Sequence, residues 1–165
     1  MKIKRLLTPL SMLIAGLVLG VAARLFDIYC QTLGEIFSQM AVWILLGTLI
    51  AIYSPTRKAA MLNILPFCIG MLLTYYATAM ITRGVYSWSF ILGWTVFALL
   101  SPVMACLAWT TKQRGALAKI IGAGIVLASV LSSVLLFDHL RVYDLIIDGL
   151  LVYLIFFKKV NRPEV

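Results

Sequence analysis

Six ionisable side chains stand near one edge of a chain that otherwise avoids charge. Arg24 and Asp27 are spaced three apart, and Arg141, Asp144 and Asp148 follow at i, i+3 and i+7, with Arg83 between the two groups. On a helix these spacings place each group on one face. Acids and guanidinium groups so placed could bind a small polar solute, or they could form Arg–Asp bridges that pin helix ends. Asp148 is the most telling of the six. It falls about six residues, or roughly 9 Å, inside an apolar segment. An ionised carboxylate there costs a few kcal/mol unless it is paired, neutral or facing water.

Other chemistry finds little support. The single histidine, His139, follows Asp138, and no nucleophile elbow, H-E-x-x-H motif or phosphate loop occurs. Cys30, Cys68 and Cys106 are odd in number and contain no C-x-x-C pair, so neither a disulfide framework nor a zinc site is expected. The residues imply no cofactor, no metal and no enzyme. Ser129, Ser132 and Ser133 can bond across helices or line a cavity, with packing the simpler role. Tyr75 and Tyr76 read in the same way, as core residues with bonded hydroxyls or as a stacking surface.

The elements that must position these residues follow from composition. The 165 residues are 63% hydrophobic and 12% charged, with a mean hydropathy of +1.05. Soluble domains carry about 25% charged residues, so lipid must be the main solvent. At about 20 residues per span, apolar runs at 7–23, 37–53, 59–81, 86–110, 117–137 and 142–157 predict an all-α, polytopic membrane protein. It forms one domain, 1–165, of six transmembrane helices. Alternating segments of about ten residues, as in a β-barrel, are not seen. The first run exceeds the 7–15 apolar residues of a signal peptide, and reads as an uncleaved anchor.

Charge sets an orientation. With both termini cytoplasmic, Lys2, Lys4, Arg5, Arg57, Lys58, Lys112, Arg114, Lys119, Lys158, Lys159 and Arg162 lie inside, and only Arg24, Arg83 and Arg141 outside. Of the acids, Glu164 alone lies inside, against Asp27, Glu35, Asp138, Asp144 and Asp148 at the outer side. This is the positive-inside pattern of a plasma-membrane protein. It explains the net charge of +8 without a nucleic-acid partner. Trp88 and Trp109 bracket the fourth span, and Trp43 and Tyr53 occupy interface positions of the second.

Gly16 and Gly20, with Ala23 one turn on, form a small-residue face on the first span. It suits close packing against a neighbouring helix or docking of a membrane partner subunit or second copy. Gly122 and Gly124, with Ala118, form a weaker patch. Pro66 and Pro102, at similar depth with Asn63 and Ser101 nearby, suggest kinks and an inner-leaflet opening between the third and fourth spans.

From Trp43 to Gly115 the chain resembles a family of small, uncharacterised bacterial integral membrane proteins. The resemblance rests on Trp43-Ile44-Leu45-Leu46-Gly47, Tyr53-Ser54, Tyr75-Tyr76 and Leu100-Ser101-Pro102 through Trp109. It implies a multi-span fold in a bacterial plasma membrane and supplies no functional residue. In size and topology the chain is also similar to the substrate-binding subunits of energy-coupling-factor vitamin transporters. That similarity implies an outward-facing ligand site and a docking face on the first helix. The expectation is therefore a protein that binds or transports a small solute through Arg24, Asp27, Arg83, Arg141, Asp144 and Asp148. The alternative is a non-catalytic accessory subunit that docks a partner through Gly16, Gly20 and Ala23.

Overall fold

The structure, a computed structural model, describes residues 7–84, 87–137 and 140–160. Lys2, Lys4, Arg5, Asp138, His139, Arg162 and Glu164 lie outside the described residues. Within them every regular element is helical: α1 (Pro9–Tyr29), α2 (Gln31–Phe37), α3 (Met40–Tyr53), α4 (Arg57–Ile81), α5 (Trp88–Thr110), α6 (Ala116–Phe137) and α7 (Val142–Val152), which ends in a π-helical stretch Tyr153–Phe157.

The long helices are apolar on the outside. In α1, α4, α5 and α6, only 17–33% of the most apolar 18-residue window is buried within the protein. Leu10, Leu73, Phe90, Leu99, Ile120 and Leu135 are all more than 60% exposed. Water would penalise such a surface at about 25 cal/mol per Å², whereas hydrocarbon accepts it. Four helices are long and apolar enough to cross a membrane, and the α2–α3 pair makes a fifth if counted as one span bent by 60°. This is the surface of a membrane-embedded protein.

The segment 142–157 is the exception among the six expected spans. It is α-helical for only 11 residues before the five-residue π-helical stretch, and the whole falls short of about 20 residues. The end of this stretch is tied down by Lys112, whose ammonium donates to the carbonyls of Leu154, Ile155 (2.8 Å) and Lys158 (2.8 Å). A helix leaves its last carbonyls without partners, and here a lysine from the α5–α6 loop satisfies them. The same end holds Trp109, whose indole N–H donates to the Ser54 carbonyl at 3.2 Å, with the Arg57 guanidinium 5.6 Å above its ring. The loops carrying Arg57, Lys58, Lys112 and Arg114 therefore share one end of the bundle with Lys158.

Small residues decide which helices touch most closely. Helix α1 begins at a Thr8 cap that accepts from the Ser11 amide, and its Gly16, Gly20 and Ala23 are buried. A Cβ at Gly16 would overlap the Phe67 carbonyl, and one at Gly20 would overlap the Met71 carbonyl and the Thr74 hydroxyl. Gly70 returns the fit, since its Cβ would stand 2.9 Å from the Leu13 oxygen. The small-residue face is thus filled by α4. At Gly122 a Cβ would meet Ile155 at 2.7 Å, while Gly124 faces open space.

One aromatic expectation changes. Trp43 is a core residue, 8% exposed. Its indole donates to the Phe37 carbonyl at 2.8 Å, which satisfies its one polar group away from the interface. Helices α4 and α5 continue through Pro66 and Pro102. Between α3, α4, α5 and α6 lies a cavity of about 50 Å³ whose lining includes Thr48, Cys68 and Ser101, space on the scale of a few water molecules. Asn63 is buried and donates to the Ser54 hydroxyl at 3.1 Å and the Leu7 carbonyl at 3.2 Å. All three cysteines are free thiols, with Cys68 buried.

Candidate functional site

The end opposite Lys112 carries two polar groups. The first joins α1 to α4. Because α1 runs on to Tyr29, Arg24 and Asp27 lie inside the helix rather than beyond it. They pair at 3.7 Å. The Tyr75 hydroxyl donates to Asp27 Oδ2 at 2.5 Å, and Arg24 Nε donates to the Thr82 hydroxyl at 3.4 Å. Gly34 of α2 packs on Asp27, where a Cβ would stand 2.7 Å from its Cα. Both charges are thus matched, and the group fastens the ends of two helices.

Arg83, one residue past the α4 cap, is exposed and has a positive φ of 50°. It terminates α4, with the Gly84 amide donating to the Ala79 carbonyl at 2.8 Å. It joins neither group by a hydrogen bond or ion pair among the described residues.

The second group joins α2, α6 and α7. Asp144 is fully buried in the first turn of α7, and its Oδ2 accepts from the Arg141 amide at 2.9 Å. Asp148, one turn deeper and 7% exposed, accepts the Ser129 hydroxyl on Oδ1 at 2.5 Å. The Arg141 guanidinium pairs with Glu35 of α2 at 3.3 Å and lies 5.7 Å from the ring of Tyr143. Its hydrogen bond to the Tyr143 hydroxyl, then the Glu35 and Asp144 carboxylates, hold it above its usual range. It is a permanent cation that also attracts the Asp144 carboxylate. The Arg–Asp bridge expected for Asp148 is replaced by a serine.

Gln39 is a further buried polar residue at this end. It is the N-cap residue of α3, but its side chain makes no cap bond, and it is 1% exposed. Its height follows from packing. Ala41 and Val42 pack with Ile147, and Ile44 with Leu151 and Ile155. Helices α3 and α7 therefore run parallel, and Gln39 lies level with the turn from Asp144 to Asp148. Ser133, buried one turn beyond Ser129 on α6, lies at the same height because α6 runs the other way.

Four buried polar atoms have no hydrogen-bond partner among the described residues: Gln39 Nε2, Gln39 Oε1, Asp144 Oδ1 and Asp148 Oδ2. Each such orphan costs about 1–3 kcal/mol, and more when charged. Below them Ile44, Ile125, Leu151 and Ile155 close an apolar floor. Asp144 and Asp148 are thus buried acids one turn apart on α7, each with one carboxylate oxygen unpartnered among the described residues.

Of the six expected residues, the structure joins Arg24 with Asp27 and sets Asp144 beside Asp148, with Arg141 at the rim and Arg83 apart. Helix α2 links the groups, since Gly34 rests on Asp27 and the next residue, Glu35, pairs with Arg141. Sequence reasoning passed over Gln39, a neutral amide inside the expected span 37–53, and the pairing of Glu35. No family model, curated protein or solved structure matches the chain.

Proposed function

We propose that the chain crosses the bilayer six times with both termini cytoplasmic, in a bacterial plasma membrane, and that it binds and moves a small solute entering from the outer face. Crossing by 142–157 is supported by Lys112, which carries charge to the end of this short segment and satisfies its carbonyls. Orientation is supported by the basic end defined by Arg57, Lys58, Lys112, Arg114 and Lys158.

One observation carries the functional reading: Asp144 and Asp148, buried one turn apart on α7, each keep a carboxylate oxygen unpartnered among the described residues. A scaffold gains nothing from orphaned carboxylates in lipid, whereas a binding site needs them. Arg24 and Asp27 hold the rim of this entrance, and Arg141 with Glu35 borders it. The accessory reading loses its main support, because α4 fills the face of Gly16, Gly20 and Ala23.

The test is a thermal-unfolding screen of the detergent-solubilised chain against amino acids, polyamines, nucleosides and water-soluble vitamins. A compound that raises the midpoint of the wild type but not of Asp148→Asn supports the site. A panel without any such compound, in protein that unfolds cooperatively, removes the reading. Orientation is tested on the native, exposed Cys30, which an impermeant maleimide must label from outside. Gln113→Cys in a Cys30→Ser background must resist it.

A further inference from the structure

Asp148 is a carboxyl buried by more than nine-tenths that has no cation as a partner. Among the described residues the salt bridges are Arg24–Asp27 and Arg141–Glu35. Arg141 also attracts Asp144, which accepts a backbone N–H in the first turn of α7, where the helix dipole favours an anion. Asp148 lies one turn past that help. Its Oδ1 accepts the Ser129 hydroxyl at 2.5 Å, and its Oδ2 is buried without a hydrogen-bond partner.

The groups packed around it do not offset an ionised carboxylate. On α7 itself, Asp144 precedes it by four residues, a spacing at which like charges repel, and Tyr143 is bonded to Arg141. Helix α6 brings the buried hydroxyls of Ser129 and Ser133. Its Lys119 stands about ten residues, or roughly 15 Å, from Ser129. Helix α3 packs Ala41, Val42 and Ile44 on α7, and its titratable side chain, Tyr53, ends the helix at the far end. From α2 comes Glu35, already paired with Arg141. Ionised, Asp148 costs a few kcal/mol in such a place. A proton removes that charge outright and needs no further ligand.

We propose that Asp148 is a reversible proton-binding site. The proton comes from water at the end opposite Lys112 and forms an O–H bond on Oδ2, which cancels the carboxylate charge; release returns it to water. Ser129 stays bonded to Oδ1, and Ser133, one turn nearer that end, continues the polar face of α6 toward it. The inference rests on the transport reading only for the use of the proton, which would drive or accompany the solute.

The test is infrared difference spectroscopy of the full-length, detergent-purified chain between about pH 6 and about pH 10, a range in which a solvated aspartate stays ionised. The wild type should show the C=O band of a protonated carboxyl at the acid end and lose it at the alkaline end. Asp148→Asn should lack the band. Asp144→Asn should keep it but lose it at lower pH, because the repulsion is gone. Ser129→Ala removes a hydrogen bond that favours the ionised form, and should move the loss about one pH unit higher. Should Asp148→Asn fail to fold, Ser129→Ala carries the test alone, since the response identifies the carboxyl bonded to that serine.

A folded wild type without the band overturns the site. So does a band that survives Asp148→Asn, ignores Ser129→Ala, or vanishes in folded Asp144→Asn, which would place the proton on Asp144. A band lost in Asp148→Asn, in protein that takes no compound of the solute panel, supports the site and removes the transport reading. A compound that binds protein lacking the band does the reverse.

Discussion

Replacing Gly16 by alanine tests whether the α1–α4 seam holds the bundle together. The added methyl would overlap the Phe67 carbonyl, a backbone atom that cannot rotate aside. Helix α1 must then retreat by about 1 Å to reach an ordinary C–H···O separation. That movement breaks the bond from the Thr74 hydroxyl to the Leu17 carbonyl, 2.8 Å in the native seam, at a cost of about 1 kcal/mol. Strain and lost packing add about 1–3 kcal/mol. The better helix propensity of alanine returns up to about 1 kcal/mol, which leaves a net loss of about 1–3 kcal/mol. Gly124→Ala is the control, because its Cβ meets open space and only the propensity gain remains. Thermal unfolding in detergent should place Gly16→Ala about 4–8 °C below wild type for a 2 kcal/mol loss, and Gly124→Ala at or above it. Equal midpoints for the two variants would refute the seam and return this face to a partner.

Three further outcomes follow from single contacts. Gln39→Leu removes two unpartnered buried atoms, so it should stabilise the chain by about 2–6 kcal/mol, read as a higher unfolding midpoint; a loss instead would mean that the amide has partners. Tyr75→Phe deletes the 2.5 Å bond to Asp27 and should cost about 1.5–3 kcal/mol, as expected for a hydrogen bond to a charged group; an unchanged midpoint would show that Asp27 is held by Arg24 alone. Lys112→Met frees three carbonyls at the end of the last helix, and limited trypsin digestion after Lys158 or Lys159 should accelerate several-fold; an unchanged rate would contradict the tether.

The long helices were legible because an apolar run in lipid must close its hydrogen bonds within itself. Segment 59–81 became Arg57–Ile81 and 117–137 became Ala116–Phe137, each within two residues. The second segment was less legible. Hydropathy begins it at Phe37, but the chain bends there by 60°, and Phe37 turns its ring onto Phe26 and Trp43. An apolar residue at a bend looks the same to composition as one in a helix. The end of α1 was misplaced for the opposite reason, since Arg24 and Asp27 look like a boundary until Tyr75 and Thr82 are seen to receive them. The i, i+3, i+7 spacing located Asp144 and Asp148, but not their partners. Ser129 comes from another helix, and a neutral side chain leaves no mark in a charge count.

The aromatic core also gives the molecule an optical signal of its own. Of its four tryptophans, Trp43 on α3 and Trp94 on α5 stand edge to face with ring centroids 6.4 Å apart, close enough for their excited states to couple. Trp88 is largely exposed on the lipid-facing surface and Trp109 lies beneath Arg57 at the far end. A displacement of α3 relative to α5 would change near-ultraviolet circular dichroism and emission without any attached label. Helix α3 also packs on α7, with Ala41 and Val42 against Ile147, so a shift between these helices would be written into the protein's own spectrum.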